Sequence, residues 1–239
     1  MIGARSRRIL ITGGNDGLGL ALAKKLARRH KLLLSGRKSQ SEVAGKLPRG
    51  AGYIVADQGD PKKSALALAR GIRDFGWDGL DNAVLNAGAG FAAPEGVDST
   101  EAIRQSLDVN LLAAILQAQA LYPLLRKSRG TLTLVGSVAY KGSATVPAYA
   151  AAKAGLHGFA RALRSEWKDE IAVQVLHPGA SKTGMHDKAG YDPGLMRSLF
   201  LEPDDVAAMM ATAIASRRSP VKLTWSRYFG GGAFMGWRL

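Results

Sequence analysis

Cysteine is absent from the chain, which removes disulfide scaffolds, thiolate metal sites and cysteine nucleophiles together. Acid is scarce. Against 33 lysines and arginines stand 19 aspartates and glutamates, for a formal net charge of +14. The cations come as scattered pairs, such as Lys24-Lys25, Lys62-Lys63 and Arg217-Arg218, with no basic stripe interleaved with aromatics and no helix-turn-helix pattern. They read as solvated helix faces, and no nucleic-acid partner is expected. Long hydrophobic runs are missing too. The basic start leads only into Ile9 to Thr12 before glycine intervenes, so neither a secretory core nor a membrane span is expected, and the protein is expected to be cytoplasmic. The four histidines, His30, His157, His177 and His186, lack metal-ligand spacing; no metal is expected, and His157 reads as a packing residue.

What is present suits one sizeable core. With 239 residues, 46% of them hydrophobic and 22% charged, a single domain over 1–239 is the expectation. Short apolar runs alternate with amphipathic stretches along nearly the whole length. Strands are predicted at Arg8 to Thr12, Leu32 to Leu34, Tyr53 to Ala56, Ala83 to Leu85, Thr131 to Val135, Ala172 to Leu176 and Val221 to Thr224. Helices are predicted at Gly19 to His30, Pro61 to Phe75, Thr100 to Lys127, Ala148 to Trp167 and Asp204 to Ala215. This alternation implies an α/β fold, a doubly wound parallel sheet of about seven strands with helices on both faces.

The first strand runs into Thr12-Gly13-Gly14-Asn15-Asp16-Gly17-Leu18-Gly19. Glycines there permit a tight turn and close approach, and the following helix start offers free N–H groups to a pyrophosphate. The second strand ends in Ser35-Gly36-Arg37-Lys38. No carboxylate stands where one would contact an NAD ribose, and Arg37 and Lys38 suit a 2′-phosphate, so NADPH/NADP+ is expected over NAD.

Tyr149 and Lys153 are four apart on a predicted helix and share a face. Ser137 follows the fifth strand, at an edge where open α/β sheets bind ligands. Asn110 sits within a predicted helix, where asparagine needs a reason. Hydride transfer to a carbonyl needs a proton donor and stabilisation of the developing alkoxide. Tyrosine, with an ordinary pKa near 10, is a poor donor at neutral pH unless a nearby ammonium lowers that value.

With its TGxxxGxG turn, Asn86-Ala87-Gly88 and Tyr149-Ala150-Ala151-Ala152-Lys153, the chain resembles the short-chain dehydrogenase/reductase family in its compact form, from about Arg8 to Thr224. The resemblance implies an oxidoreductase interconverting a carbonyl and an alcohol. It makes Tyr149 the general acid/base, gives Ser137 the substrate oxygen, has Lys153 tune Tyr149 and bind the nicotinamide ribose, and has Asn110 anchor a relay water. It places Gly13, Asn15, Gly17, Leu18 and Gly19 at the cofactor, Asp57 on the adenine, and Asn86, Ala87 and Gly88 beside it. Pro178, Gly179 and Thr183 would hold the nicotinamide end. One position departs: Asp16 stands where some NADP-dependent members carry a basic residue. A non-catalytic NADP-binding sensor or scaffold on the same fold is the competing reading, and the full catalytic set argues against it.

Three features concern surroundings. A segment over 181–201, broken by Gly184, Gly190, Pro193 and Gly194, reads as a substrate lid. Together with the Ala89–Gly96 loop and the C-terminal tail, it is where specificity is expected. Apolar positions on the long helices, among them Leu111, Leu112, Ile115, Leu116, Leu121 and Leu124, exceed what one sheet-facing stripe needs, and a homodimer or homotetramer is expected.

Overall fold

The computed structural model describes residues 5–90, 97–184 and 194–224. Seven strands form one sheet: β1 (Arg8–Thr12), β2 (Lys31–Gly36), β3 (Gly52–Val55), β4 (Asn82–Leu85), β5 (Thr131–Val135), β6 (Ala172–Pro178) and β7 (Val221–Leu223). Their order is β3-β2-β1-β4-β5-β6-β7 and every pairing is parallel. Parallel neighbours need crossovers, and here the helices supply them: α1 (Gly17–Leu26), α2 (Gln40–Val43), α3 (Pro61–Asp74), α4 (Thr100–Leu107), α5 (Ala113–Lys127), α6 (Pro147–Glu166) and α7 (Pro203–Ser216).

The central strands are apolar on both faces because both faces are covered. On one side Leu10, Ala83, Leu85, Leu132 and Leu134 meet α3, α5 and α6 through Leu68, Ile72, Leu125, Leu156 and Leu163. On the other, Ile9, Ile11, Val84 and Val135 meet α1 and α7 through Leu22, Val206 and Met210. Helix starts carry their signals. Pro61 opens α3 and the Asp60 carboxylate accepts from Lys63 N at 3.0 Å, while the Ser99 hydroxyl accepts from Ala102 N at 3.1 Å before α4.

The structure differs from the pattern reading in a few places. The Asp16 carboxylate accepts from Gly17 N at 2.8 Å, so α1 starts two residues before the predicted Gly19, and it closes at Leu26 instead of His30. The long helix from Thr100 to Lys127 contains a π turn, Asp108–Leu112, between α4 and α5. Leu121, expected on the outer face, is fully buried under the sheet. By length and composition Thr100–Lys127 could cross a bilayer. Here it lies along the sheet with Asn110 and Gln117 buried, and Gln117 Nε2 donates to Ser64 Oγ on α3 at 3.1 Å. Of the expected lid, residues 185–193 lie outside the described residues, as do 91–96 of the Ala89–Gly96 loop and the tail 225–239. The base of the 181–201 segment is closed: Ser181 and Leu201 bridge, Lys182 N donates to Leu201 O at 2.9 Å, and Lys182 pairs with Glu202 at 2.6 Å.

A buried polar row crosses the middle of the sheet. The Thr133 hydroxyl lies 3.1 Å from Asn82 Oδ1 and 3.2 Å from Gln174 Oε1. Gln174 Nε2 donates to the carbonyls of Ala213 at 2.7 Å and Arg218 at 2.6 Å, tying β6 to the end of α7. An unmet buried acceptor costs about 1–3 kcal/mol. Gln174→Leu is therefore expected to lower unfolding stability by about 2 kcal/mol or more in urea titrations. An unchanged midpoint and slope would show that this tie carries no stability.

Candidate active site

The C-terminal edge of the sheet gathers the candidate residues. β1 ends in Thr12, whose hydroxyl accepts from Asn86 N and from Ala87 N, each at 3.0 Å. In return Asn86 Nδ2 donates to the Thr12 carbonyl at 3.0 Å. The turn that follows is tight. Gly13 and Gly17 have φ of +63° and +48°, and a Cβ on Gly19 would lie 2.2 Å from the Gly13 carbonyl oxygen. Only glycine allows α1 to begin this close to the strand. Beyond Gly17, the first-turn amides of α1, from Leu18 and Gly19, have no partner within the helix and face the same edge.

At the outer end, Arg37 and Lys38 are exposed just past β2 and make no ion pair among the described residues. Asn15 reaches the same place, since a Cβ on Gly36 would meet Asn15 Oδ1 at 2.1 Å and the Tyr53 hydroxyl at 2.7 Å. Tyr53 donates to the Lys38 carbonyl at 3.1 Å and so holds this turn. Asp57 is exposed after β3, its carboxylate accepting from Gly59 N at 3.0 Å. At the inner end Pro178 closes β6, Gly179 N donates to Leu223 O at 2.9 Å, and the Thr183 side chain lies 3.6 Å from a Cβ built on Gly17. The glycine turn and the Pro178–Thr183 stretch therefore face one another.

Between them stand the four candidate catalytic residues. Asn110 lies in the π turn, buried, and its side chain makes three hydrogen bonds. Oδ1 accepts from Ala89 N at 3.1 Å, and Nδ2 donates to Ala89 O at 2.8 Å and Ser106 O at 3.0 Å. Gly88 lies against both Asn110 and Lys153, because a Cβ there would be 2.8 Å from Asn110 Oδ1 and 3.3 Å from Lys153 Nζ. Lys153 is buried on α6 and donates to the Val135 carbonyl at 3.0 Å. Its Nζ sits 5.5 Å from the centre of the Tyr149 ring. Ser137 follows β5 and opens a short 3-10 turn, Val138–Lys141, with its hydroxyl accepting from Ala139 N at 3.2 Å.

The electrostatics differ from the spacing argument. Burial pushes the Tyr149 phenol above its ordinary value, and a hydrogen bond with Ser137 pulls it the other way. Lys153 is itself desolvated, which lowers its ammonium to about 8, and it points to a carbonyl. In this arrangement the causes acting on the phenol are burial and Ser137. Two participants went unnoticed in the sequence. Thr12 stood inside the glycine motif yet bears the strand-end contacts, and His177, next to Pro178, reaches the Ser137 carbonyl with Nδ1 at 3.1 Å.

Known proteins share this architecture. The short chain dehydrogenase family profile matches residues 7–193. An uncharacterized oxidoreductase of Mycobacterium tuberculosis is 30% identical over 92% of this chain and 88% of its own length. A solved short chain dehydrogenase from Burkholderia cenocepacia in complex with NADP superposes with a TM-score of 0.79 at 30% identity, covering 93% of this chain and 98% of that one. A further short chain dehydrogenase structure from Shigella flexneri, complexed with NADP, gives 0.79 at 27% identity over 92% and 96%.

Buried Lys153 carries a measurable signature. Unfolded, its ammonium holds its proton up to about 10.5, whereas in the fold it begins to release it near 8. Between those values the unfolded chain binds more protons, so raising pH stabilises the fold. Lys153→Met removes the buried charge. The variant is expected to be more stable than the parent at pH 7, with the gap narrowing from pH 8 to 10. Equal stability of the two proteins throughout would contradict the burial of a charged Lys153.

Proposed function

The chain belongs to the short-chain dehydrogenase/reductase family, and on that premise we propose that it reduces a ketone or aldehyde to an alcohol with NADPH, or runs the reverse reaction. The observation that carries this reading is that Tyr149 and Ser137 act on one another beside buried Lys153, whose ammonium lies 5.5 Å from the centre of the Tyr149 ring. The donor set suits the cofactor. The start of α1, whose first-turn amides lie outside the helical ladder, with Gly13, Asn15, Gly17, Leu18 and Gly19 around it, fits a pyrophosphate, and exposed Arg37 and Lys38 fit a 2′-phosphate. Asp57 would contact the adenine, Asn86, Ala87 and Gly88 would line the ribose side, and Pro178, Gly179 and Thr183 would meet the nicotinamide end. When bound, NADPH supplies a hydride to the carbonyl carbon.

The chain's own residues manage the proton and the charge. The Tyr149 hydroxyl passes its proton to the carbonyl oxygen as the carbon is reduced, and the Ser137 hydroxyl holds that oxygen. Lys153 steadies the resulting phenolate and holds the ribose. Asn110, its side chain already clamping Ala89, remains the anchor for a relay water. The 181–201 segment, closed at its base by the Ser181–Leu201 bridge, is the cover we assign to the substrate. Ile103, Leu107 and Leu112 stay exposed along the α4–α5 face and support pairing of two or four copies.

A panel of ketones, aldehydes and 3-oxoacyl compounds, followed by NADPH absorbance, tests the reaction class. Tyr149→Phe is expected to abolish turnover while NADPH affinity stays within about twofold; a variant retaining more than about a tenth of the rate removes Tyr149 as the acid. Arg37→Ala is expected to raise the KM for NADPH by about one to two orders of magnitude and to leave NADH unaffected. Equal losses with both cofactors would refute the 2′-phosphate assignment.

A further inference from the structure

Three aromatic rings lie stacked behind the Ser137 turn. His157 projects from α6 one turn beyond Lys153, His177 comes from β6, and Tyr140 comes from the turn itself. The Tyr140 ring lies 4.2 Å from His177 at 25° and 4.8 Å from His157 at 22°. His157 Nδ1 is 3.0 Å from His177 Nε2, and His177 Nδ1 is 3.1 Å from the Ser137 carbonyl oxygen. We propose that His157 and His177 are positioning residues that hold the Ser137 turn, and through it the hydroxyl that meets Tyr149; this rests on the reaction proposed above.

The hydrogens follow by elimination. A carbonyl oxygen only accepts, and that of Ser137 already takes Tyr140 N at 3.1 Å. His177 Nδ1 must therefore carry its hydrogen. Burial, followed by the charge of His157, lowers His177 to about 4; the Ser137 carbonyl pulls it upward, and Lys153 and Lys222 add smaller downward effects. The ring is neutral at physiological pH, so Nε2 is bare and His157 Nδ1 must donate to it. Burial and the Arg161 charge lower His157 as well. The charged groups acting on the pair, Arg161, Lys153 and Lys222, are all cationic, and each opposes protonation of the rings. The result is one direction of donation, from His157 to His177 to Ser137.

The strand is shaped around this pair. A Cβ on Gly136 would lie 2.5 Å from His177 Nδ1, so the residue before Ser137 is glycine where the imidazole lies flat on the backbone. Gly136 N in turn donates to Leu176 O at 2.7 Å. Ser137 is thus fixed from three sides: by β6, by its own turn and by the histidines. A general acid or base role does not suit either ring, because the chain of donors ends on a carbonyl that cannot pass a proton onward.

Two measurements test the pair. Imidazole 15N–1H correlation spectra of the full-length protein are expected to show neutral rings with hydrogen on Nδ1 in both histidines; hydrogen on Nε2 of either overturns the proposal. Tyr149 ionisation, followed by the 13Cζ signal that Tyr149→Phe identifies, is expected to move to higher pH in His157→Leu and His177→Leu. His177→Asn keeps an N–H in the Nδ1 position and is expected to restore the parent titration. On a substrate from the panel, the leucine variants are expected to lose about tenfold in kcat with the KM for NADPH within about twofold. An unmoved Tyr149 titration in folded leucine variants overturns the proposal, as does an asparagine variant no better than leucine, which would make the pair mere packing. Should His177→Leu not fold, partly exposed His157 decides through His157→Leu. A parent enzyme silent on every substrate counts against the reaction alone, and the two spectroscopic measurements still judge the pair.

Discussion

The contact on which the active edge depends is the reciprocal pair between Thr12 and Asn86. Parallel strands end without a partner loop to hold them together, and β1 lies beside β4, the central strand. The Thr12 hydroxyl takes two backbone amides from the 86–87 turn, and the Asn86 amide returns one hydrogen bond to the Thr12 carbonyl. That clasp sets the distance between the glycine turn after β1 and the loop after β4. Gly88 is thereby brought against Asn110 and Lys153, and Lys153 against the end of β5. A threonine and an asparagine thus lock strand ends to one another where apolar packing stops.

The site is built from buried polar groups in a strongly basic chain, and their hydrogen bonds are made locally. Lys153 is buried but bonded to a carbonyl, and Asn110 satisfies Ala89 on both its amide and its carbonyl. These contacts are short in range, so scattered surface cations have little hold on them across a Debye length of about 8 Å at physiological salt. The overall charge and the local chemistry are therefore largely separate matters.

Much of the fold was legible because parallel strands covered on both faces read as unbroken apolar runs. Arg8–Thr12 and Thr131–Val135 were read with the bounds that the structure has. The glycine turn, Asn86-Ala87-Gly88 and the Tyr149–Lys153 spacing could be found because local backbone geometry needs them close in sequence. What stayed hidden depends on neighbours far along the chain. Spacing brings Lys153 near Tyr149 but cannot say that its ammonium turns to the carbonyl of Val135. Leu121 belongs to a helix apolar on several sides, and only the sheet beneath it decides which side is core. His157 and His177 are 20 residues apart, and neither has meaning without the other.

The π turn at Asp108–Leu112 has a bearing on how such a chain can change. A π turn holds one residue more than the α-helix it interrupts. Removing one residue there would let α4 and α5 fuse into a regular helix, a change the hydrogen-bond ladder alone would favour. The turns on either side would keep their phase, since the π turn takes up its extra residue locally, and only the residues within it would be redirected. Asn110 would leave the Ala89 backbone while the helix itself lost nothing. Along this stretch the length of the chain is part of its chemistry.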